Sequence, residues 1–264
     1  MNPNGTELLS HLSRSVAGSR VLVTGAAGGM GLATARLFAA EGAHVAVTDL
    51  SAECAKRVAD EIVQSGGSAV GFELDVSRGD LIPQRVEETV AVIGGLDILV
   101  NNAGVAWIGE IDDPSYFENW SRVLSVVLEG QARLIRAALA HLRCSSHGRI
   151  VNIASTEALG ATAGFSIYAA AKAGVTGLTR ALAVEFGRSG ITVNCVCPGP
   201  IDTEMTRGVS SEDKAMFAKR RTALGRYGLP EEVAHITLSL SLPAASYVTG
   251  ATIPVDGGLM ARNA

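Results

Sequence analysis

Short apolar runs that alternate with helical runs dominate this sequence. These runs lack the polar–apolar alternation of a sheet with one solvated face, so both faces of the sheet they form should be covered. The sequence therefore predicts an α/β fold: a single-domain, Rossmann-type, doubly wound parallel sheet with helices on both faces. The predicted strands are Arg20–Thr24, His44–Asp49, Ala69–Leu74, Asp97–Asn101, Arg149–Ile153, Thr192–Cys197 and Ala251–Val255.

The segments between these strands carry helix signals, and 264 residues can form one large domain. We expect a flexible arm over residues 1–18 and a catalytic domain over residues 19–264, with a substrate lid at about residues 203–225. The predicted helices are Leu32–Glu41, a helix capped by Ser51 that runs to Gln64, Ser77–Ile93, Tyr116–Arg143, Tyr168–Phe186, one within residues 203–221, and one opened by Pro230.

Composition excludes several classes of function. A net charge of −4 without a Lys/Arg stripe argues against a nucleic-acid partner. No uncharged apolar stretch approaches the ~18 residues of a membrane span, and Met1–Arg20 lacks the pattern of a signal peptide. The spacing of Cys54, Cys144, Cys195 and Cys197 does not suggest a metal site. We therefore expect a cytoplasmic protein with buried or half-buried thiols, no metal and no membrane partner.

A glycine-rich turn joins the first strand to the first helix. Glycines there let the backbone approach a diphosphate at a helix N-terminus. The spacing, Thr24-Gly25-x-x-x-Gly29-x-Gly31, departs from the usual G-x-G-x-x-G, so the turn alone is weak support for a nucleotide site.

Asp49 makes the nucleotide hypothesis sharper. It ends the second strand, where a carboxylate accepts hydrogen bonds from ribose hydroxyls and repels a 2′-phosphate. No arginine at Ala27 or Leu50 offsets that repulsion, so NAD is favoured over NADP. The alternative role of Asp49 is to cap the helix after Ser51. Asp75, at the end of the third strand, could hold adenine together with the Val76 amide.

Ser155, Tyr168 and Lys172 form the candidate proton-transfer group. Tyr168 and Lys172 are four residues apart, so on a helix they share a face. A phenol with a pKa of ~10 is a poor base near neutrality, but an ammonium about 4 Å away at an effective dielectric of ~20 stabilises the phenolate by roughly 4 kcal/mol. We therefore predict that Lys172 lowers the pKa of Tyr168 and that Ser155 holds a substrate oxygen against the phenol. The alternative is an ordinary Tyr–Lys pair on a helix surface.

Six motifs in order resemble the short-chain dehydrogenase/reductase family, the NAD(P)-dependent oxidoreductases of about this length. The resemblance covers the chain from Arg20 to about Met260. The motifs are TGAAGGMG at 24–31, NNAG at 101–104, Ser155 before Tyr168, YAAAK at 168–172, PGPIDT at 198–203, and YVTGATIPVDGG at 247–258.

The resemblance implies a role for each matching residue. Tyr168 would be the general acid/base, Lys172 would bind the nicotinamide ribose, and Ser155 would orient the substrate oxygen. The predicted cofactor-binding residues are Gly25, Gly28, Gly29, Met30, Gly31, Asp49, Leu50, Asp75, Val76, Asn102, Ala103, Gly104, Tyr168, Lys172, Pro198, Gly199, Ile201 and Thr203.

One position departs from the family pattern. The family has an asparagine in the long helix, within a pattern like V-N-L-x-G, that anchors a proton-relay water. Here Val127 takes that position. Either the relay water is held in another way, which we favour because Ser155, Tyr168 and Lys172 are present, or the site is impaired.

The substrate pocket is predicted from residues that follow the motifs: Trp107, Glu157, Phe165 and Met205. Glu157 could meet a second hydroxyl of a substrate or point to solvent. Small residues along the helix after Tyr168 would allow a second subunit to approach, and the family is usually tetrameric or dimeric, so we expect a homotetramer.

We expect an NAD-dependent secondary-alcohol dehydrogenase or ketoreductase acting on a small alcohol or ketone. The first alternative is a 3-oxoacyl-acyl-carrier-protein-reductase-like ketoreductase, which Asp49 fits poorly because that role uses NADPH. The second is a nucleotide-binding scaffold without turnover, which only Val127 favours.

Overall fold

The computed structural model describes residues 12–262, and within them seven strands form one parallel sheet. Its order is β3-β2-β1-β4-β5-β6-β7, and all six neighbouring pairs are parallel. The strands are β1 (Arg20–Thr24), β2 (His44–Asp49), β3 (Ser68–Glu73), β4 (Ile98–Asn101), β5 (Arg149–Ile153), β6 (Thr192–Pro198) and β7 (Thr252–Val255).

Helices connect successive strands of this sheet. They are α1 (Gly29–Ala40), α2 (Ala52–Gln64), α3 (Ile82–Ile93), α4 (Tyr116–Leu124), a π-helical segment (Ser125–Glu129), α5 (Gly130–Cys144), α6 (Ser166–Phe186), α7 (Ser211–Arg221) and α8 (Pro230–Ser241). A 3₁₀ turn, Thr156–Ala158, follows β5 directly.

The helices bury the two faces of the sheet in separate apolar layers. One layer packs α1, α2 and α8 against residues such as Val21, Val47 and Val151. The other packs α3, α5 and the end of α6 against Leu22 and Ile150 on the opposite face. Because both faces are covered, the strands carry continuous apolar runs. The predicted doubly wound α/β fold is confirmed.

Two helix starts differ from the prediction by three residues or more, and α6 begins two residues early, at Ser166. α1 begins at Gly29 rather than Leu32, so the last glycines of the turn are already helical. α3 begins at Ile82 rather than Ser77, because the Asp75 carboxylate accepts hydrogen bonds from the Ser77 amide and hydroxyl at 2.8 and 2.6 Å. This local turn competes with the helix, which forms only once Pro83 fixes its first turn.

The predicted long helix, Tyr116–Arg143, is interrupted by the π-helical segment. Gly130 donates its backbone N–H to the Ser125 carbonyl five residues earlier. A Cβ on Gly130 would lie 2.7 Å from the Val76 carbonyl oxygen, so the glycine lets this helix approach the end of β3 closely. π segments of this kind occur most often at functional sites.

The predicted arm, residues 1–18, is described only from residue 12. Val16 is 1% exposed within the apolar layer of α1 and α8, and Ser13 accepts a hydrogen bond from the Ala244 amide at 3.0 Å. Gly18 donates to the Gly42 carbonyl at 2.9 Å. The packed part of the chain therefore starts before residue 19, and the remainder of the predicted arm lies outside the described residues.

A buried carboxylate fastens β1 to β4 at the edge of the sheet opposite the glycine turn. Asp97 is 3% exposed and accepts bonds from the Arg20 side chain at 2.8 Å and from the Ser145 hydroxyl at 2.6 Å. Burial by itself would raise the pKa of Asp97, but these hydrogen bonds outweigh it and lower the pKa to about 2.

This depressed pKa predicts an acid-sensitive contribution to stability. Because the folded pKa is below the unfolded one, Asp97 stabilises the fold by about 2 kcal/mol above pH ~4, and this contribution is lost as pH falls toward 2. In urea unfolding, the stability difference between wild type and Asp97→Asn should shrink by that amount between pH 6 and pH 2. Asp112→Asn, at an exposed residue, is the control, and its difference in unfolding free energy from the wild type should not change between pH 6 and pH 2. An equal change for both variants would contradict the prediction.

Candidate active site

The carboxyl ends of β1 to β5 open into one cleft of about 560 Å³, within the range of ligand pockets. The cleft follows the sheet edge from the glycine turn to the start of α6. It is lined by Gly25, Ala27, Gly28, Gly29, Met30, Asp49, Leu50, Cys54, Arg57, Leu74, Asp75, Val76, Asn102, Ala103, Gly104, Val105, Val126, Ile153, Ala154, Tyr168, Lys172, Thr203, Glu204 and Met205.

The glycine turn is held tightly against the end of β4. A Cβ on Gly31 would lie 2.1 Å from the Gly25 carbonyl oxygen and 2.5 Å from the Asn102 amide nitrogen, so only glycine fits there. Asn102 donates its side-chain amide to the carbonyls of Thr24 and Gly25 at 2.9 and 3.0 Å. The NNAG motif therefore fixes the shape of the turn.

The N-terminus of α1 faces the cleft without a side-chain cap. Its N-cap residue is Gly28, and no side chain accepts a hydrogen bond there. Uncapped N–H groups and the helix dipole together favour an anion such as a diphosphate.

Asp49 ends β2 in the position predicted for a ribose-binding carboxylate. One of its oxygens accepts the Ala27 backbone N–H at 3.0 Å, which orients the carboxylate toward the turn. The helix after it is capped by Ser51, whose hydroxyl accepts the Cys54 N–H at 3.2 Å. The alternative capping role for Asp49 is therefore already filled by another residue.

Arg57 also lines this end of the cleft and was not predicted. It lies on α2 and pairs with Glu61 at 2.6 Å, and Glu61 also pairs with Arg36 at 2.7 Å. Unlike positions 27 and 50, Arg57 is not next to a strand end in the sequence. It reaches the cleft because α2 folds back over the end of β2.

Tyr168 and Lys172 line the other end of the cleft, and Ser155 follows directly after Ala154, which also lines it. Ser155 follows β5 as the N-cap of the 3₁₀ turn, while Tyr168 and Lys172 lie in the first two turns of α6. Lys172 is 3% exposed, and its Nζ donates to the Ile153 carbonyl at 2.8 Å and lies 5.4 Å from the centre of the Tyr168 ring. The Ser155 hydroxyl accepts the backbone N–H of Glu157 at 3.2 Å.

The pKa of Tyr168 differs from the prediction. Burial raises it to about 12, and the hydrogen bond from Ser155 opposes this only in part. Burial also lowers the pKa of Lys172 to about 8. The predicted lowering of the phenol pKa by Lys172 is therefore wrong for the protein alone. The Lys172 Nζ bonds to the Ile153 carbonyl and lies over the ring of Tyr168. Burial also disfavours the charged forms of both groups, the phenolate and the ammonium.

Four predicted cofactor-binding residues do not line the cleft. Gly31 faces Gly25 and Asn102, as described above. Gly199 donates its N–H to the Val255 carbonyl at 3.0 Å and packs against Asp256. Ile201 is 5% exposed in the core, and Pro198 is buried at the end of β6. The PGPIDT motif thus reaches the cleft only through Thr203.

The predicted substrate residues take separate positions. Met205 lines the cleft, and the ring of Phe165 lies edge-on to that of Tyr168 at 6.2 Å between centroids. Trp107 packs instead against Tyr116 at 5.8 Å, as part of an apolar cluster. Glu157 lies in the 3₁₀ turn beside Ser155 and bonds to Thr162.

Val127 lies in the π-helical segment and is completely buried in an apolar cluster. That cluster includes Ala171 and Val175 of α6. Its side chain therefore offers no hydrogen bond to a relay water, as the sequence indicated.

Two of the four cysteines lie under the catalytic end of the sheet. Cys195 and Cys197 are buried, Cys54 is half-buried in the cleft, and Cys144 is exposed, contrary to expectation. Within residues 12–262, no group of three His, Cys, Asp or Glu side chains could hold a metal ion. None of the helices in that range combines the length and apolarity needed to cross a membrane.

This arrangement fits a nicotinamide dinucleotide. The turn that only glycine can form, the uncapped helix N-terminus and Asp49 match the diphosphate and ribose of such a cofactor. Fold and site together define an oxidoreductase of the dinucleotide-binding α/β class.

Comparisons with known proteins identify the family. The family model described as enoyl-(acyl carrier protein) reductase matches residues 25–260. The chain is 40% identical to meso-2,3-butanediol dehydrogenase of Serratia marcescens, over 92% of this chain and 95% of that protein. It is 39% identical to 3-oxoacyl-acyl-carrier-protein reductase FabG of Chlamydia muridarum, over 90% and 96%.

A solved structure of a dehydrogenase/reductase from Sinorhizobium meliloti 1021 superposes with a TM-score of 0.88 at 39% identity, covering 96% of this chain and 98% of that one. The chain belongs to the short-chain dehydrogenase/reductase family, whose members are nicotinamide-dependent oxidoreductases.

Proposed function

We propose that this protein is an NAD-dependent oxidoreductase that interconverts a small secondary alcohol and its ketone. The observation that carries the proposal is the placement of Tyr168 and Lys172 at one end of a cleft whose other end presents Asp49, with Ser155 directly after the cleft residue Ala154. A bound nicotinamide would supply the hydride acceptor or donor, and the protein would supply position and the proton.

In the oxidation direction, Ser155 holds the alcohol oxygen against the phenol. Tyr168 accepts the hydroxyl proton, and a bound nicotinamide would accept the hydride from the substrate carbon, so that a ketone would be left. Lys172, fixed by the Ile153 carbonyl, would bind the nicotinamide ribose and, with the cofactor in place, would stabilise the phenolate electrostatically. The reverse sequence reduces a ketone.

The choice of NAD over NADP rests on Asp49, whose carboxylate would repel a 2′-phosphate. A 3-oxoacyl-acyl-carrier-protein-reductase-like function is the alternative, favoured by the likeness to such a reductase. The likeness to a butanediol dehydrogenase favours a small alcohol instead. Arg57 is paired with Glu61, so it leaves Asp49 as the decisive charge.

Three further expectations belong to this proposal. The segment over residues 203–225, which contains α7, would be the substrate lid, because Thr203 and Met205 at its start line the cleft. The exposed face of α6 carries small residues such as Ala173, which suits a homotetramer. A cytoplasmic location stays a prediction.

The test is a panel of secondary alcohols with NAD and NADP, and of ketones with NADH and NADPH. We expect turnover with a strong preference for NAD(H), read by the absorbance of the reduced cofactor. A preference for NADPH with acyl thioesters would favour the reductase alternative, and cofactor binding without turnover of any substrate would contradict the proposed function.

A further inference from the structure

Glu157 lies beside the proton-transfer group and is held in one orientation. Its backbone N–H donates to the Ser155 hydroxyl at 3.2 Å, inside the 3₁₀ turn that Ser155 caps. Its two carboxylate oxygens accept bonds from the Thr162 N–H at 2.9 Å and the Thr162 hydroxyl at 2.7 Å. The side chain is therefore fixed by the loop that precedes α6.

No cation neutralises this carboxylate. Among residues 12–262, no Lys, Arg or His forms an ion pair with Glu157. Its negative charge reaches the reacting phenol, because it contributes to the raised pKa of Tyr168, after burial as the larger cause. A fixed negative charge without an ion-pair partner among residues 12–262 therefore lies beside Ser155 and acts on the Tyr168 phenol.

The carboxylate also keeps hydrogen-bonding capacity. An ionised carboxylate has about four lone-pair sites, and Thr162 occupies two of them. Phe165, whose ring lies edge-on to that of Tyr168, and Met205, which lines the cleft with Tyr168, add apolar surface around the phenol. Glu157 therefore adds a strong acceptor beside Ser155, and its charge disfavours anions.

We propose that Glu157 selects the substrate class: a neutral secondary alcohol or ketone that carries a second hydroxyl close to the reacting carbon. The second hydroxyl donates to Glu157 while the first lies between Ser155 and Tyr168. Substrates with a carboxylate close to the reacting carbon are rejected by charge repulsion. The inference rests on the proposed function and narrows its substrates to neutral alcohols and ketones with a second hydroxyl.

Three alcohols with the same four-carbon skeleton separate these effects: 2-butanol, 2,3-butanediol and 3-hydroxybutyrate. For the wild type with NAD, kcat/KM should be largest for the diol and smallest for the hydroxy acid. Glu157→Gln removes only the charge, so kcat/KM for 3-hydroxybutyrate divided by kcat/KM for 2-butanol should rise about tenfold. Glu157→Ala also removes the acceptor, so kcat/KM for 2,3-butanediol divided by kcat/KM for 2-butanol should fall about tenfold.

Glu41→Gln is the matched control, because it makes the same change of net charge at an exposed residue at the end of α1. Its ratios should equal those of the wild type. Titration with NADH checks that each variant is folded. If the Glu157 variants do not fold, Thr162→Val replaces them. This variant keeps the charge of Glu157 but removes one of the two hydrogen bonds that orient its carboxylate. The ratio of kcat/KM for 2,3-butanediol to that for 2-butanol should then fall severalfold.

Ratios that stay within twofold of the wild type in the Glu157 variants, or in Thr162→Val where it replaces them, would overturn the inference. So would a wild-type enzyme that prefers the hydroxy acid to the diol. Both results leave the proposed function standing, because they require turnover. A wild type that binds NADH but oxidises no alcohol of any kind would instead contradict the proposed function itself.

Discussion

Replacing Tyr168 by Phe is expected to lower kcat by about a thousandfold while NADH still binds. General acid/base catalysis contributes roughly 10² to 10⁴ in rate, and this substitution removes the group that we propose exchanges the proton. The ring and its packing against Phe165 are kept, so the fold should be retained. Steady-state alcohol oxidation and NADH titration of the same preparation give the two readings.

Tyr116→Phe is the control for this experiment. It removes a phenolic hydroxyl from Tyr116, a buried tyrosine whose hydroxyl oxygen lies 2.9 Å from the Ser166 hydroxyl at the start of α6. We expect its kcat to stay within a few-fold of the wild type. If Tyr168→Phe kept more than a tenth of the wild-type rate, the proton-transfer role assigned to this phenol would be wrong.

Replacing Asp49 by Ser should shift cofactor preference toward NADP by roughly a hundredfold or more. A carboxylate and a 2′-phosphate a few Å apart repel each other by several kcal/mol at a partly exposed site, and each 1.4 kcal/mol is tenfold. Arg57 lines the same end of the cleft but pairs with Glu61, so the expected shift rests on the loss of the Asp49 carboxylate. The measurement is the ratio of kcat/KM for NADP to that for NAD.

Asp60→Ser controls for net charge, since Asp60 is an exposed residue of α2. It should leave the cofactor ratio unchanged. An Asp49→Ser enzyme that prefers NAD as strongly as the wild type does would show that other residues set cofactor choice.

The sequence predicted the sheet well because burial on both faces leaves a signal in composition. Strands such as β1 and β5 are runs of apolar residues bounded by turns, and their limits agree with the prediction. The delayed start of α3 was missed, because it depends on whether the Asp75 carboxylate bonds back to Ser77. Propensity does not decide that competition.

Predictions for the site failed where they needed three-dimensional information. The pKa of Tyr168 depends on burial, which the spacing of Tyr168 and Lys172 does not reveal. Arg57 reaches the cleft only because α2 folds back over β2. The bonds between Glu157 and Thr162 depend on the path of a loop without periodicity.

Hydride transfer itself is tested most directly with an alcohol that carries deuterium on its reacting carbon. Wild-type protein is incubated with NAD and deuterated 2,3-butanediol or another alcohol that it oxidises, and the mass of the reduced cofactor is measured. The proposed chemistry predicts NADH that is heavier by one deuterium. Reduced cofactor without the label, or oxidised alcohol without any reduced cofactor, would contradict it.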